Sequence, residues 1–343
     1  MEIELTSTAP DGWDAYVTAH PLGTAYHRAA AVEVGQRCFG LRTSYITARN
    51  QLGQPIGALP LVEQSSALFG RFLSSVPFFT YGGILADDAD VATRLADRAI
   101  AHARARRADH VELRHTAPVP GLDLPERLDK VSMVLPLPGS VEALARQLGS
   151  KLRSQIRRAE REDLEIRWGS RELLEDFYGV FAPAMHRLGT PVYPLRFFEA
   201  ALQAFGPVAS VLVVRAQGAT RAAAIVVRHD RSLEVPWAVA TQVAKSLSIN
   251  MRMYWEMLRL ACVSGMEQFD FGRSSPDSGT YRFKAQWGAR AVQLHWHYWL
   301  AAGTSVPELN QSNPKYARAA ALWRHLPLWC ANLLSPYIVR NLP

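Results

Sequence analysis

The chain has 343 residues, of which 48% are hydrophobic and 20% charged, and this length allows two domains that each bury a core. Its formal net charge of +7 favours an anionic partner, although ordinary solubility charge in an arginine-rich protein explains it equally well. Three widely separated cysteines, Cys38, Cys262 and Cys330, argue against a disulfide framework and against a cysteine metal site.

The ends of the sequence and its apolar runs bear on location. Residues 1–13, MEIELTSTAPDGW, have neither the basic start nor the apolar stretch of a signal peptide. No run of about 18 apolar residues occurs, so we expect no transmembrane helix. We therefore expect a cytoplasmic protein, with peripheral contact at the inner face of the membrane as an open alternative.

Helical and strand patterns alternate along the first part of the chain. Residues 11–35 predict a helix-rich opening. Apolar or alternating runs between glycines and prolines predict strands at 41–50, 57–64 and 71–79. Residues 90–107 predict an amphipathic helix, and the segment HVELRH after it predicts a strand.

The second part repeats this alternation. Strands mixed with helices in this way predict an α/β or α+β fold. Helices are expected at 175–189 and 248–265, and strands at 208–216, 222–230, 232–240, 266–272 and 293–301.

Two segments indicate an internal duplication. SVPFF precedes a predicted helix and the strand HVELRH, and EVPWA precedes a predicted helix and the strand QFDFGR. Pro77 to Glu112 spans 35 positions (112 − 77) and Pro236 to Asp270 spans 34 (270 − 236). We predict two copies of one domain, although proline–aromatic pairs are common enough to produce the match by chance. Prolines and a glycine at 134–140 mark the expected boundary.

A basic helix is predicted just after that boundary, at 150–162. Its apolar residues recur at helical spacing and predict one buried stripe. The cationic face suits phosphate or another oxyanion, but a solvated face paired with Glu160, Glu162 and Asp163 is an equal alternative. The candidate substrate-binding residues on this helix are Lys151, Arg153 and Arg157.

The triplet Asp270-Phe271-Gly272 matches the magnesium-binding triplet of protein kinases. A kinase also needs an upstream glycine-rich loop and a catalytic loop with Asp and Asn, and neither is present. We therefore exclude a kinase. His295 and His297 alternate on one strand without a nearby third ligand, so strand packing is a better interpretation than a metal site.

Seven segments together carry a resemblance to a known family: FTYGGIL (79–85), SKLRSQIRRAE (150–160), LGTPVYPLRFF (188–198), LEVPWA (233–238), NMRMYWEMLR (250–259), FDFGRSSPDSGTYRFKAQWG (269–288) and the tail at 313–343. With them the sequence resembles the FemAB-like transferases, which consist of two GNAT-type acyltransferase domains. Within that family it resembles the branch associated with the exosortase (XrtA)/PEP-CTERM system of Gram-negative bacteria, and part of it resembles the BioF2-like acyltransferase domain.

This resemblance implies an α/β (α+β) fold with two tandem GNAT-like domains and mixed central sheets. We expect an N-terminal domain at 1–138, a C-terminal domain at 139–302 and a helical tail at 303–343 that packs on the domains. The family implies acyl or aminoacyl transfer to an amine, and characterised relatives use aminoacyl-tRNA to lengthen the peptide of a peptidoglycan precursor. Its Phe-Lys pair falls on Phe283 and Lys284, and in relatives that lysine lies at the reacting ester.

Acyl transfer needs a neutral amine, a stabilised oxyanion and a protonated leaving group. Lys284 is the candidate for the oxyanion, and a surface lysine is the alternative. Asp270 is a candidate to orient the lysine or accept the amine proton, or simply caps a strand end. Tyr281 is a candidate proton donor, or packs as an aromatic residue.

Further candidates would bind substrate. Arg273 suits an anionic group or a pair with Asp277, and Asn250 begins a helix whose N–H groups suit a phosphate. Trp237 suits a cleft wall or a core, and Tyr81 lies in a turn with Gly82 and Gly83. The segment TQVAKSLSIN lacks the glycines of the usual acyl-CoA loop, which disfavours tight acetyl-CoA binding.

Three functions remain open. The first is a Fem-like N-acyltransferase that acts on an amine of a cell-envelope or exopolysaccharide precursor, with aminoacyl-tRNA or acyl-CoA as a cosubstrate and no tightly bound cofactor. The second is an acyl-CoA-dependent N-acetyltransferase, and the third is a non-catalytic adaptor that binds an anionic glycan or lipid. The expected partners are an anionic or lipid-linked substrate and, for the first function, tRNA; DNA is not expected.

Overall fold

A computed structural model describes residues 1–66, 70–306 and 314–342. The strands within this part of the chain are β1 (Glu2–Thr6), β2 (Arg42–Arg49), β3 (Pro55–Ser66), β4 (Gly70–Ser74), β5 (Leu85–Ala86), β6 (His110–His115), β7 (Glu126–Arg127), β8 (Val131–Pro136), β9 (Leu164–Gly169), β10 (Ala209–Ala216), β11 (Ala219–His229), β12 (Ser232–Ala240), β13 (Gln268–Ser274), β14 (Arg290–Gln293) and β15 (His295–Leu300).

Helices connect and cover these strands. Most of them lie where apolar residues recur at helical spacing in the sequence. The α-helices are α1 (Trp13–Ala19), α2 (Ala29–Val32), α3 (Val34–Phe39), α4 (Ala89–Ala105), α5 (Val141–Gln147), α6 (Ser150–Ala159), α7 (Leu174–Leu188), α8 (Leu195–Phe205), α9 (Gln242–Ser246), α10 (Ile249–Val263), α11 (Gly279–Ala285), α12 (Pro314–His325) and α13 (Leu328–Val339).

Two mixed sheets share one strand order. The first runs β1-β2-β3-β4-β6-β15-β7, with β5 paired to β3, and the second, read in the matching direction, runs β9-β10-β11-β12-β13-β8-β14. Each sheet begins with four antiparallel strands, β1 to β4 in the first and β9 to β12 in the second. A helix, α4 or α10, then connects the fourth strand to a parallel neighbour, β6 or β13. The predicted duplication and the mixed α/β fold are therefore confirmed.

The chain exchanges strands between the two sheets. It divides into one compact unit of Met1–Lys130, Gln293–Asn313 and Tyr337–Pro343 and a second of Val131–Val292 and Pro314–Pro336. Strand β8, which the sequence assigned to the N-terminal domain, pairs with β13, and β15, assigned to the C-terminal domain, pairs with β6. An alternating pattern identifies a strand but not the strand with which it pairs. The sequence therefore predicts two contiguous domains, whereas in the structure each unit includes one strand from the other predicted domain.

One predicted strand is shorter than expected. The run RFLSSVPFF at 71–79 suggests one continuous strand, but β4 ends at Ser74. Pro77 lacks the N–H that a ladder needs, and Phe78 has a φ of 74°. The backbone therefore turns away from the sheet where the sequence only shows an apolar run.

The core of the second unit lies against both faces of its sheet. Helices α6 and α10 cover one face with buried residues that include Leu152, Ile156 and Met257. On the other face, Phe198 of α8 lies 5.3 Å from the ring of Trp237 on β12, and Phe177 and Phe181 of α7 pack against Phe198. Among the described residues, no helix combines the length and hydrophobicity needed to cross a membrane.

Candidate active site in the second unit

The parallel strands β12 and β13 form a short ladder and then separate. The ladder joins Ser232–Glu234 to Gln268–Asp270, but β12 continues to Ala240 and β13 to Ser274. Each strand carries a bulge directly after the ladder. Val235 and Pro236 of β12 together oppose one residue of β11, and Phe271 and Gly272 of β13 together oppose one residue of β8. Such a separation gives an extended ligand access to backbone donors and acceptors.

Gly272 permits the bulge in β13. Its φ of 76° lies in the left-handed region, where a side chain would be strained. The bulge turns the carbonyl groups of Gly272 and Arg273 toward one side chain, that of Lys284. The sequence therefore needs glycine at the third position of the kinase-like triplet for a structural reason unrelated to magnesium.

Lys284 lies on α11, a short helix capped by the Ser278 hydroxyl, which accepts from the Tyr281 N–H at 3.1 Å. Its Nζ donates to the carbonyl oxygens of Gly272 and Arg273, both at 2.9 Å, and only 8% of the residue is exposed. Burial lowers the pKa of Lys284 from 10.5 to about 8, although Asp270 acts in the opposite direction. At neutral pH this is a buried ammonium with two of its three donors fixed.

Asp270 is a fixed carboxylate on β13 and is also 8% exposed. Its Oδ1 accepts from the Ser132 hydroxyl at 2.6 Å and from the Gly272 N–H at 2.7 Å. Its charge raises the pKa of Lys284, which means that it stabilises the ammonium. The predicted proximity of Asp270 and Lys284 is therefore present, and Ser132 on the exchanged strand β8 is a partner that sequence reasoning missed.

Glu234 is a second carboxylate that sequence reasoning missed. It lies on β12 directly opposite Asp270 in the parallel ladder, and it also raises the pKa of Lys284. The available signal was a charged residue in the middle of the otherwise apolar strand SLEVPWAVA. Two carboxylates and one ammonium thus meet where the two strands separate.

The predicted aromatic residues occupy different surroundings. Trp237 is buried and packs edge-to-face against Phe197 and Phe198 at 5.9 and 5.3 Å. Phe283 packs against Tyr254 at 5.0 Å, and Tyr281 is partly buried beside the same core. Their proposed roles in catalysis or binding stay predictions.

The segment before α10 folds into a short helix, α9, rather than an open loop. The Thr241 hydroxyl accepts from the Ala244 N–H at 3.1 Å, and the Lys245 N–H donates to the Thr241 carbonyl at 3.1 Å. The N–H groups of Leu247 and Ser248 also donate within the segment, at 3.1 and 3.2 Å. Four backbone donors of this segment, those of Ala244, Lys245, Leu247 and Ser248, are therefore already in use where a pyrophosphate would bind.

The basic helix α6 has the predicted amphipathic form. Leu152, Ile156 and Ala159 are buried, whereas Lys151, Arg153 and Arg157 are exposed. Arg153 donates to the Leu148 carbonyl at 2.7 Å, so part of its hydrogen-bonding capacity goes to the end of the preceding helix. Glu160 pairs with Arg252 of α10 rather than with its own helix.

The remaining binding candidates are separate features. Asn250 lies in the first turn of α10, and Arg273 exposes its side chain beside the lysine-binding carbonyl groups. Tyr81 belongs to the first unit and is buried near Tyr26, with ring centroids 6.3 Å apart. A Cβ at Gly83 would lie 2.0 Å from the His115 ring, so this turn serves close packing within that unit.

The two strand histidines pair within the first unit. His295 Nδ1 lies 2.5 Å from Glu126 Oε1, and His297 Nδ1 lies 3.0 Å from His115 Nδ1. The described residues contain no group of three or more His, Cys, Asp or Glu side chains arranged to hold a metal ion.

Comparisons with known proteins agree with this architecture. Residues 146–285 match the sequence profile of the acetyltransferase (GNAT) domain. A search of curated proteins found no match. Among solved structures, FemX is similar over 85% of this chain and 96% of its own, with a TM-score of 0.67 and 15% identity.

Two further structures cover similar lengths. L-PGS from Bacillus licheniformis matches 93% of this chain and 96% of its own at a TM-score of 0.57 and 12% identity. A tandem GNAT protein from the clavulanic acid biosynthesis pathway matches 89% and 100% at a TM-score of 0.52 and 14% identity. The chain therefore has a GNAT-like fold in two units, similar to that of FemX, and residues 146–285 of its second unit match the GNAT acetyltransferase domain.

Proposed function

We propose that this protein is a Fem-like N-acyltransferase that moves an acyl or aminoacyl group from an activated ester or thioester to an amine. The observation that carries the proposal is the buried Lys284 ammonium, held by two carbonyl groups where β12 and β13 separate. The match of residues 146–285 to the GNAT acetyltransferase domain supports the reaction class.

The proposed reaction uses the charges around the lysine. The amine nitrogen attacks the carbonyl carbon, a C–N bond forms, and negative charge develops on the carbonyl oxygen. The Lys284 ammonium stabilises this oxyanion, and its burial strengthens the interaction because little water screens it.

Proton transfer completes the step. Glu234 is the proposed acceptor of the amine proton, because one oxygen of Asp270 already accepts two hydrogen bonds and Asp270 acts as a fixed charge beside the ammonium. The C–O or C–S bond to the donor then breaks, and Tyr281 is the proposed proton source for the leaving group. Trp237 and Phe283 are proposed to shape the pocket.

Aminoacyl-tRNA is the favoured donor. The backbone N–H groups of Ala244, Lys245, Leu247 and Ser248 bond within their own segment, which disfavours a pyrophosphate at this position. The exposed cations Lys151 and Arg157 on α6 suit a phosphate backbone. Acyl-CoA is the second candidate, and the GNAT domain match favours it.

The proposed acceptor is an amine on a cell-envelope or exopolysaccharide precursor. Similarity in fold to FemX and to L-PGS supports a glycan-linked or lipid-linked acceptor. The sequence resemblance of Phe269–Gly288 to the exosortase-associated branch supports the exopolysaccharide alternative. Arg273 and Asn250 are proposed to bind an anionic group of that substrate.

Variants at Lys284 test the proposal. The protein is incubated with a charged tRNA pool or with acyl-CoA and an amine-bearing envelope extract, and mass spectrometry detects the acylated product. We expect Lys284→Ala to lower the rate at least 100-fold and Lys284→Arg to retain part of it. Lys130→Ala, which removes a first-unit lysine paired with Asp129 at 3.1 Å, is the control. Normal turnover by Lys284→Ala would refute the catalytic role.

The non-catalytic adaptor remains the competing function because α6 exposes Lys151, Arg153 and Arg157 together. It predicts salt-sensitive binding of an anionic glycan or lipid that the triple alanine variant loses, with no covalent product. Detection of an acylated product that depends on Lys284 excludes it.

A further inference from the structure

The last helix of the chain exposes an apolar stripe. Trp329, Leu333 and Tyr337 follow one another at i, i+4 and i+8 on α13 and are 69%, 63% and 68% exposed, and Leu334 beside them is 45% exposed. Residues at this spacing share one face of a helix. Soluble surfaces normally scatter such side chains singly, so an aligned set indicates an interaction surface.

The opposite side of α13 is buried and holds the helix against the rest of the protein. Ala331, Ser335 and Val339 are buried, and the Ser335 hydroxyl accepts from the Val192 N–H at 3.1 Å. The stripe is therefore held outward by a helix whose inner face is already packed. Its exposure does not come from a frayed end.

The charged residues near the end of the chain indicate which partner would bind the apolar stripe. No Asp or Glu follows Glu308 in the sequence, whereas Lys315, Arg318, Arg324 and Arg340 lie in that segment. Arg318, Arg324 and the exposed apolar Leu322 lie on the neighbouring helix α12. A short helix with Trp, Tyr and Leu outward, in a segment that carries cations and no acidic residue, has the composition of a helix that lies in the interface of an anionic bilayer.

A second copy of the chain fits this stripe less well. Aromatic side chains offer about 150–250 Å² each when fully exposed. With the exposed fractions above, the four side chains present on the order of 500 Å², below the roughly 800 Å² per partner of a stable interface. Twelve residues also make a helix about 18 Å long, too short to cross a bilayer, so the helix would lie along the surface.

We propose that α13 docks the protein on anionic lipid surfaces through Trp329, Leu333, Leu334 and Tyr337. This inference is independent of the proposed function, since it concerns binding and not turnover. The ligand class is a bilayer that carries acidic headgroups, with the apolar stripe inserted at the level of the headgroups and the arginines of α12 near them.

Vesicle sedimentation tests the docking surface. The full chain is mixed with vesicles of phosphatidylcholine alone or with an equal part of phosphatidylglycerol. We expect binding to the mixed vesicles and at least tenfold weaker partitioning for Trp329→Ser/Leu333→Ser, because transferring even one leucine-sized side chain from water has an effect of that order. Leu52→Ser, which removes an 82% exposed leucine from a turn in the first unit, should bind like the parent.

A charge variant separates the two contributions. Arg318→Gln/Arg324→Gln should lose most of the preference for phosphatidylglycerol but keep the residual binding to neutral vesicles. Because all these residues are exposed, melting curves should match the parent. Failure of the parent to bind mixed vesicles, or equal binding by Trp329→Ser/Leu333→Ser, would overturn the proposal. So would a concentration-dependent dimer that this double variant abolishes in analytical ultracentrifugation, since the occupant would then be a second copy.

Discussion

The pKa of Lys284 is a property of the site that a titration measures directly. Burial lowers the pKa of this lysine from 10.5 to about 8. The difference of about 2.5 pH units corresponds to about 3 kcal/mol, at ~1.36 kcal/mol per unit. Burying the charged lysine lowers the free energy of unfolding by this amount, and the full effect is present below pH 8.

The sign of the stability change follows from proton binding. Between pH 8 and 10.5 the folded lysine is neutral, whereas the unfolded lysine is still charged. The unfolded state therefore binds more protons, and the free energy of unfolding rises with pH in this window by up to about 3 kcal/mol. Lys284→Met should lack this rise, and shared tyrosine titrations cancel when the two proteins are compared.

The composition makes a direct assay practical. The chain contains only five lysines, so the ε-carbon signals of a 13C-lysine sample can be followed one by one by NMR between pH 6 and 11. We expect one signal to titrate near pH 8 and to be missing in Lys284→Arg. The lysines are Lys130, Lys151, Lys245, Lys284 and Lys315.

Two outcomes would refute this reasoning. If all five lysine signals titrate together above pH 10, Lys284 is solvated and cannot act as a desolvated cation. If the transfer rate of the parent does not fall near pH 8 relative to that of Lys284→Arg, whose guanidinium stays charged, the Lys284 ammonium is not the active form; the ratio cancels the titration of the acceptor amine.

Three further substitutions test neighbouring contacts. Gly272→Ala places a side chain at a φ of 76° and should destabilise the protein by about 1–2 kcal/mol in urea unfolding; an unchanged midpoint would contradict the proposed strain. Asp270→Asn removes a charge that raises the pKa of Lys284, so the lysine signal should shift below pH 8 in the same NMR titration, and an unshifted signal would remove Asp270 from the electrostatics of the site. Glu112→Gln leaves the buried Arg114 without the carboxylate that it contacts at 2.7 Å and should cost about 3–5 kcal/mol in unfolding, with the transfer rate of the folded protein unchanged; a loss below 1 kcal/mol would show that the pair is solvated.

Sequence patterns predict the helices and strands that depend on interactions between residues close together in the chain. HVELRH and SLEVPWAVA form strands with the predicted bounds, His110–His115 and Ser232–Ala240. Both alternate or run apolar between clear chain breaks, and such signals act within a few residues. The exchange of β8 and β15 depends on pairing between residues more than 130 positions apart, which no local pattern contains.

The site shows the same division. The motif around Lys284 predicts this lysine as a site residue, with Asp270 as a partner that orients it. Ser132 and Glu234 were missed because each reaches the site through strand register: Ser132 through the antiparallel pairing of β8 with β13, and Glu234 through the parallel pairing of β12 with β13.

The duplication also explains why one unit provides the candidate site. Glu112 and Asp270 both stand third in their strands, at the last pair of the parallel ladder. Each accepts a hydrogen bond of 2.6 Å from a hydroxyl on the exchanged strand, Tyr298 in one unit and Ser132 in the other. Burial alone would raise the pKa of Glu112, but its contact with the Arg114 guanidinium holds that pKa below its usual value.

The difference lies two residues further along each strand. In the first unit that position is Arg114, whose guanidinium donates to the carbonyl groups of Val76 and Phe79 at 3.2 and 2.6 Å and fills the space after the ladder. In the second unit it is Gly272, and the cation comes from Lys284 on a separate helix. The first unit thus uses its buried cation to fix a loop, whereas the second keeps an ammonium with a free donor where its strands separate. The Arg114 charge is committed to Glu112 and to two loop carbonyl groups, so the chemistry is expected at Lys284.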